Sequence, residues 1–113
     1  MNKLIYCATP ARLSHRINEI MDFVAVGGDG PFHPFKAFEI GRFEQGSIGR
    51  EKTMEFCLRA VEMCDEFWLF GVSLGTIQEL CHAQSLNKPI RLVKDFDPEW
   101  DKHIKLIPEV VRI

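Results

Sequence analysis

The sequence predicts an α/β fold in three layers, with an open parallel sheet of four to five strands and helices on both faces. Three observations carry this. The short apolar runs Leu4–Ala8, Phe67–Phe70 and Ile90–Val93 are each closed by turn residues, as buried strands are. Between Arg50 and Cys64, the residues Met54, Cys57, Leu58, Val61 and Cys64 recur on one stripe, with Glu51, Lys52, Glu55, Arg59 and Glu62 largely opposite. That is the period of an amphipathic helix. Strands and helices also alternate over short connections, which implies right-handed crossovers between parallel neighbours in a Rossmann-like or flavodoxin-like sheet.

Taken in order, Leu4–Ala8 is the first strand, stopped by Thr9-Pro10, and it is expected to be central and buried. A helix follows from Pro10-Ala11 to Met21, with Ile17, Ile20 and Met21 inward and Arg12, Arg16 and Glu19 outward. Phe23-Val24-Ala25-Val26 reads as the second strand, ended by the turn chemistry of Gly27-Gly28-Asp29-Gly30-Pro31. Lys36 to Phe43 has the length of about two helical turns. After the helix from Arg50 come the strand at Phe67 and a helix from about Thr76 to Leu86, which Asn87-Lys88-Pro89 stops. Ile90–Val93 is the next strand. Asp95 to His103 is a polar loop containing Trp100, and Val110-Val111 is a candidate final strand.

The 113 residues suffice for one domain with a single core. A formal net charge of -2, with 14 scattered basic residues, argues against an electrostatic nucleic-acid surface but leaves room for a local anion pocket. Cys7, Cys57, Cys64 and Cys81 lack CxxC spacing, and three of them sit in apolar runs, the usage of buried thiols in a reducing compartment. The apolar run after Lys3 is too short for a signal segment or a membrane span. A cytoplasmic protein with no membrane contact is expected. Cys81-His82 and His15 make no metal spacing, and the Gly27–Gly30 cluster has neither a following Lys-Ser/Thr nor a GxGxxG frame, so no metal or cofactor is called for.

Parallel α/β sheets bind ligands at the carboxyl ends of their strands. Those ends fall at Ala8, Val26, Phe70 and Val93, so Thr9-Pro10, His33-Pro34 and Gly71 to Thr76 share one rim. Arg50 opens a helix on that rim. A cation is unfavourable beside a helix N-terminus, which points to an anionic partner, although a solvated arginine is the plainer reading. Gly71-Val72-Ser73-Leu74-Gly75-Thr76 joins a buried strand to a helix start, a place suited to oxygen-rich ligands. Ser73 and Gly75 contact a ligand there or simply make the turn. His33 either packs in its loop or touches the ligand. The phenylalanines Phe32, Phe35, Phe38 and Phe43 serve as core, as dimer contact or as a stack for a base.

Ser73-Leu74-Gly75-Thr76-Ile77-Gln78-Glu79, with Cys64-Asp65 before the strand and Ala83 to Lys88-Pro89-Ile90 after the helix, resembles the nucleoside 2-deoxyribosyltransferase superfamily, which includes the deoxynucleoside 5′-monophosphate N-hydrolases. The likeness runs from about Cys64 to Val93 and extends to Leu4–Pro10, whose Ala8, Thr9 and Pro10 are similar to the family's first binding loop. It implies cleavage of an N-glycosidic bond, with Glu79 as the nucleophile at the anomeric carbon and Ser73 on the sugar or its 5′-phosphate. Spacing alone also allows Thr76 to Glu79 to be a capping box that turns the carboxylate back to its own backbone.

The family's second acid lies on the helix before the strand, at a position that here is Cys57. Glu51 and Glu55 stand further upstream, and Glu51 is the candidate for that role. The resemblance further implies a homodimer or higher homo-oligomer acting on a small nucleoside or nucleotide. A binding module that holds such a ligand without cutting it is the alternative.

Overall fold

The computed structural model describes residues 2–39, 46 and 48–112. Its sheet has four parallel strands, β1 (Leu4–Ala8), β2 (Gly30–Phe32), β3 (Glu66–Leu69) and β4 (Ile90–Leu92), in the order β2-β1-β3-β4. Around it lie α1 (Ile17–Val26), α2 (Pro34–Ala37), α3 (Arg50–Met63), α4 (Leu74–Ser85), α5 (Trp100–His103) and α6 (Glu109–Arg112). Short 3-10 turns occupy Ala11–Arg16, Lys94–Phe96 and Ile104–Leu106. No helix among the described residues is long and apolar enough to cross a membrane.

The period of two along β1 divides the core. Tyr6 and Ala8 face α3 and α4, in a cluster with Cys57, Val61, Phe67, Leu69, Leu80 and Ala83. Ile5 and Cys7 face α1, with Ile20, Val24, Trp68, Phe70 and Val93. Both faces of β1 are covered and its flanks are paired to β2 and β3, so its residues 5–8 are fully buried. Trp100 and Ile107 of the C-terminal segment join the α3–α4 side.

Several expected elements are corrected. Phe23-Val24-Ala25-Val26 is not a strand but the second half of α1. Ile17, Ile20, Met21 and Val24 continue one helical stripe, and no breaker stands before Gly27-Gly28, so the helical period prevails over the β-branched composition. Gly28, at φ +93°, makes the stop. The second strand is Gly30–Phe32 instead, and its carboxyl end is Phe32, not Val26. Pro31 fits there because β2 is an edge strand.

The N-terminal helix opens as a 3-10 turn and reaches α-geometry only at Ile17. The helix expected from Thr76 begins at Leu74. Val110-Val111 lies in α6, and the expected loop from Asp95 contains a 3-10 turn and α5. Of the helix expected over Lys36 to Phe43, Pro34–Ala37 is helical, and residues 40–43 lie outside the described set.

The chain leaves β1 toward β2 through α1, and leaves β3 toward β4 through α4 on the other face. The gap between the carboxyl ends of β1 and β3 is therefore the point where the winding reverses, which is where a crevice opens in such sheets.

Candidate functional site

A cavity of about 280 Å³ lies at that crevice. After β1 its wall is Thr9, Pro10, Ala11 and Arg12. After β2 it is Pro34, Phe35 and Phe38. Arg50, Thr53, Met54 and Cys57 come from α3, and Ser73, Gly75, Thr76 and Glu79 from the β3–α4 turn and α4. One part of the wall is apolar, made by Phe35, Phe38, Met54 and the two prolines. The rest carries two guanidinium groups, hydroxyls and one carboxylate, the composition of a site that buries a flat apolar group and orients a polar one.

Ser73 and Thr76 build the turn that holds α4 against the cavity. The Thr76 amide donates to Ser73 Oγ over 3.1 Å, and the Ser73 amide donates to Thr76 Oγ1 over 2.9 Å. This reciprocal capping box makes Ser73 the cap and Thr76 the third helical residue. The Thr76–Glu79 capping box is thereby excluded, since the donors it would satisfy are already paired. Thr76 Oγ1 also donates to the carbonyl of Gly71 at 2.9 Å, which locks the turn to the end of β3.

Glu79, freed from that duty, points across the sheet. It is 5% exposed, and its Oε2 accepts a 2.5 Å hydrogen bond from the Tyr6 hydroxyl, 73 residues away. Burial pushes the Tyr6 phenol well above its usual range, and the negative charge of Glu79 and the nearness of Cys57 push it further. Tyr6 therefore remains a donor at any working pH and holds the carboxylate in one orientation. Glu79 is the only carboxylate lining the cavity among the described residues.

The cationic side is built from two places. Arg50 begins α3, and a Cβ on Gly75 would lie 3.6 Å from its Nη2 and 3.6 Å from Met54 Cε, so Gly75 keeps the space beside the guanidinium open. Arg12 lines the cavity from the segment after β1, and outward solvation expected from the helical pattern does not describe it. Its Nη2 donates to Asp97 Oδ2 at 2.6 Å, and its Nε is buried without a hydrogen-bond partner. Asp97, 4% exposed, accepts on the same oxygen from the Val72 amide at 3.1 Å, and on Oδ1 from the Glu99 amide at 3.0 Å. One carboxylate thus fixes both Arg12 and the turn that carries Ser73. Asp97 and, at 3.6 Å, Glu99 offset the charge of Arg12, so the preference for an anion comes from Arg50 and the start of α4.

The other expected site residues fall outside the wall. Ala8 is in the core cluster beneath it. Gly71 serves packing, because a Cβ there would stand 2.6 Å from Pro10 Cδ and 2.9 Å from Leu13 Cδ1. Glu51 is exposed and lines an adjoining groove with Glu55, Leu58 and Gln78, which shares Arg50 and Met54 with the cavity. His33 is 2% exposed and stands behind Thr9. Phe32 stacks on Tyr6 in the core, and Phe43 lies outside the described residues. Cys7, Cys57 and Cys64 are buried free thiols and Cys81 is an exposed one. Among the described residues no group of three or more His, Cys, Asp or Glu side chains could hold a metal ion.

Comparison with protein-family profiles, curated proteins and solved structures found no match.

Tyr6, Arg12 and Asp97 are the residues that sequence reasoning passed over. A buried tyrosine needs a partner for its hydroxyl, and Tyr6 shares a strand face with Ala8, so a polar group opposite that face was the available signal. For Arg12 the signal was its position two residues beyond Pro10 on the rim. Asp97 gave none.

Proposed function

We propose that this chain cleaves the N-glycosidic bond of a nucleoside or nucleoside 5′-monophosphate, with Glu79 as the nucleophile. The observation that carries the reading is the Glu79 carboxylate: buried on the cavity wall, held by Tyr6 and not used to cap its own helix. In the reaction one carboxylate oxygen bonds to the anomeric carbon as the carbon–nitrogen bond breaks, and the base departs with that electron pair. Water then adds to the anomeric carbon, its proton goes to solvent, and the carboxylate is released. Tyr6 orients the attacking group through the oxygen it holds. The apolar wall of Phe35, Phe38 and Met54 suits the flat base, and the Arg12, Arg50 and Ser73 side suits the sugar or its phosphate. A cavity of about 280 Å³ suits one nucleotide at a time.

A second reading is supported by one observation. Cys57 stands on the cavity wall where a proton-donating acid would serve the leaving base, and no second carboxylate lines the cavity among the described residues. A module that binds the nucleotide without cutting it has no use for that acid.

Incubation with a panel of deoxynucleosides, ribonucleosides and their monophosphates, with detection of free base, separates the two. Under the first reading base appears, and Glu79→Gln drops its release by at least about a thousandfold while the ligand Kd changes by less than about threefold. A thermal shift by a nucleotide with no base released supports the binding module. Unchanged turnover in Glu79→Gln refutes the nucleophile assignment.

A further inference from the structure

A hydrogen-bonded chain behind the cavity wall determines what that wall offers a ligand. The Phe35 backbone N–H donates to His33 Nδ1 over 3.2 Å. A neutral imidazole has one acceptor and one donor nitrogen, so accepting at Nδ1 places the ring proton on Nε2. Nε2 lies 3.0 Å from Thr9 Oγ1 and donates to it. The Thr9 hydroxyl sends its own proton to the Cys7 carbonyl, 3.2 Å away. The first donor is a backbone amide, which cannot reverse, and it therefore sets the direction of the His33–Thr9 bond, while the Cys7 carbonyl, which can only accept, takes the Thr9 proton. Burial, and after it the charge of Lys36, lowers the His33 ring to about 4, so this polarity persists through the neutral range.

We propose that His33 is a positioning residue that fixes Thr9 as a hydrogen-bond acceptor toward the ligand, so that the β1 rim selects a ligand presenting a donor, either a pentose hydroxyl or an exocyclic amine of the base. The proposal rests on the nucleotide reading above. Thr9 lines the cavity, its proton and one lone pair are engaged, and one lone pair is left. A phosphate or carbonyl oxygen finds no donor on its hydroxyl. Such oxygens are directed instead to the guanidinium groups and the start of α4, which gives the ligand a single orientation.

The test is titration calorimetry with nucleoside monophosphates that differ by one donor: ribo, 2′-deoxy and 3′-deoxy sugars, and 6-amino and 6-oxo purines. The proteins are the wild type, Thr9→Val, Thr9→Ser, His33→Asn and the Thr9→Val/His33→Asn pair. His33→Asn retains an acceptor for the Phe35 amide but is too short to reach Thr9. On the wild type, the analogue lacking the relevant donor binds about tenfold more weakly. Thr9→Val loses that discrimination and Thr9→Ser keeps it. His33→Asn reproduces the loss, and the double variant adds nothing to it. Which analogue carries the effect distinguishes the sugar hydroxyl from the base amine.

Equal wild-type affinity across the panel overturns the proposal, as does Thr9→Val weakening every ligand by the same factor. If the wild type binds none of the panel, the nucleotide reading fails separately, and the ¹⁵N shifts of the His33 ring decide the chain itself. Protonation on Nε2 supports it and protonation on Nδ1 overturns it.

Discussion

Acid should unfold this protein through His33, and the effect can be sized. In an unfolded chain the ring titrates near 6.5, whereas in the fold burial holds it down to about 4. Between those values the unfolded chain takes up a proton that the folded chain refuses, so stability is full above pH 6.5 and falls as pH drops toward 4. The gap of about 2.5 units corresponds to roughly 3 kcal/mol at the acid end and about 2 kcal/mol at pH 5. Protonation would also turn Nδ1 into a donor facing the Phe35 N–H, which undoes the first turn of α2. Urea unfolding of the wild type and His33→Gln at pH 7, 6, 5 and 4 isolates the term, because carboxylate titration is common to both. The wild type should lose about 2 kcal/mol more than the variant between pH 7 and pH 5. Parallel stability profiles over that range, or an NMR titration placing the His33 ring near 6.5, refute the reasoning.

Three further outcomes follow from contacts in the site. Tyr6→Phe removes the donor from the buried Glu79 oxygen and should lower stability by about 1 to 3 kcal/mol in denaturant titration, with turnover falling under the proposed reaction. Asp97→Ala leaves Arg12 beside Glu99 at 3.6 Å and the Val72 amide unpaired. A loss of about 2 to 3 kcal/mol is expected, at the low side for a broken buried pair because the Arg12 side chain is 29% exposed. Gly71→Ala drives a methyl into the rigid Pro10 ring at 2.6 Å, so the melting temperature should fall in line with about 1 to 3 kcal/mol of overpacking.

The parts of the fold legible in the sequence are those where one local signal dominates. The Leu4–Ala8 strand and the stripe from Met54 to Cys64 stand within a residue or two of their expected bounds, because continuous burial or a clear helical period leaves a single solution. Phe23–Val26 misled because the strand propensity of four residues stood out from the longer helical stripe they continue, a stripe that also packs Val24 in one cluster with Ile5 and Phe70. Val110-Val111 misled because a β-branched pair is too short a signal by itself, and here the pair lies in α6 with Val110 exposed.

At the site, the strand-turn-helix placing Ser73, Gly75 and Glu79 on one cavity could be read from glycines and spacing. The partners of those groups could not. Tyr6 meets Glu79 across 73 residues and Arg12 meets Asp97 across 85, and hydrogen bonds of that reach leave no local pattern. Thr76 shows the same limit at short range. Its spacing to Glu79 fitted a capping box as well as the spacing from Ser73 did, and the earlier hydroxyl took the role.

The Asp97 clasp bears on how the protein is made. During synthesis the ribosome delivers the β1 rim first and the helix bearing Glu79 much later, yet neither Arg12 nor the Val72 amide has its anchor until residue 97 has emerged. A nascent chain halted short of that point would carry all four strands and α1 to α4 but an unfastened pocket and a core still lacking Trp100 and Ile107, so competence to hold a ligand should arise late and abruptly as translation proceeds.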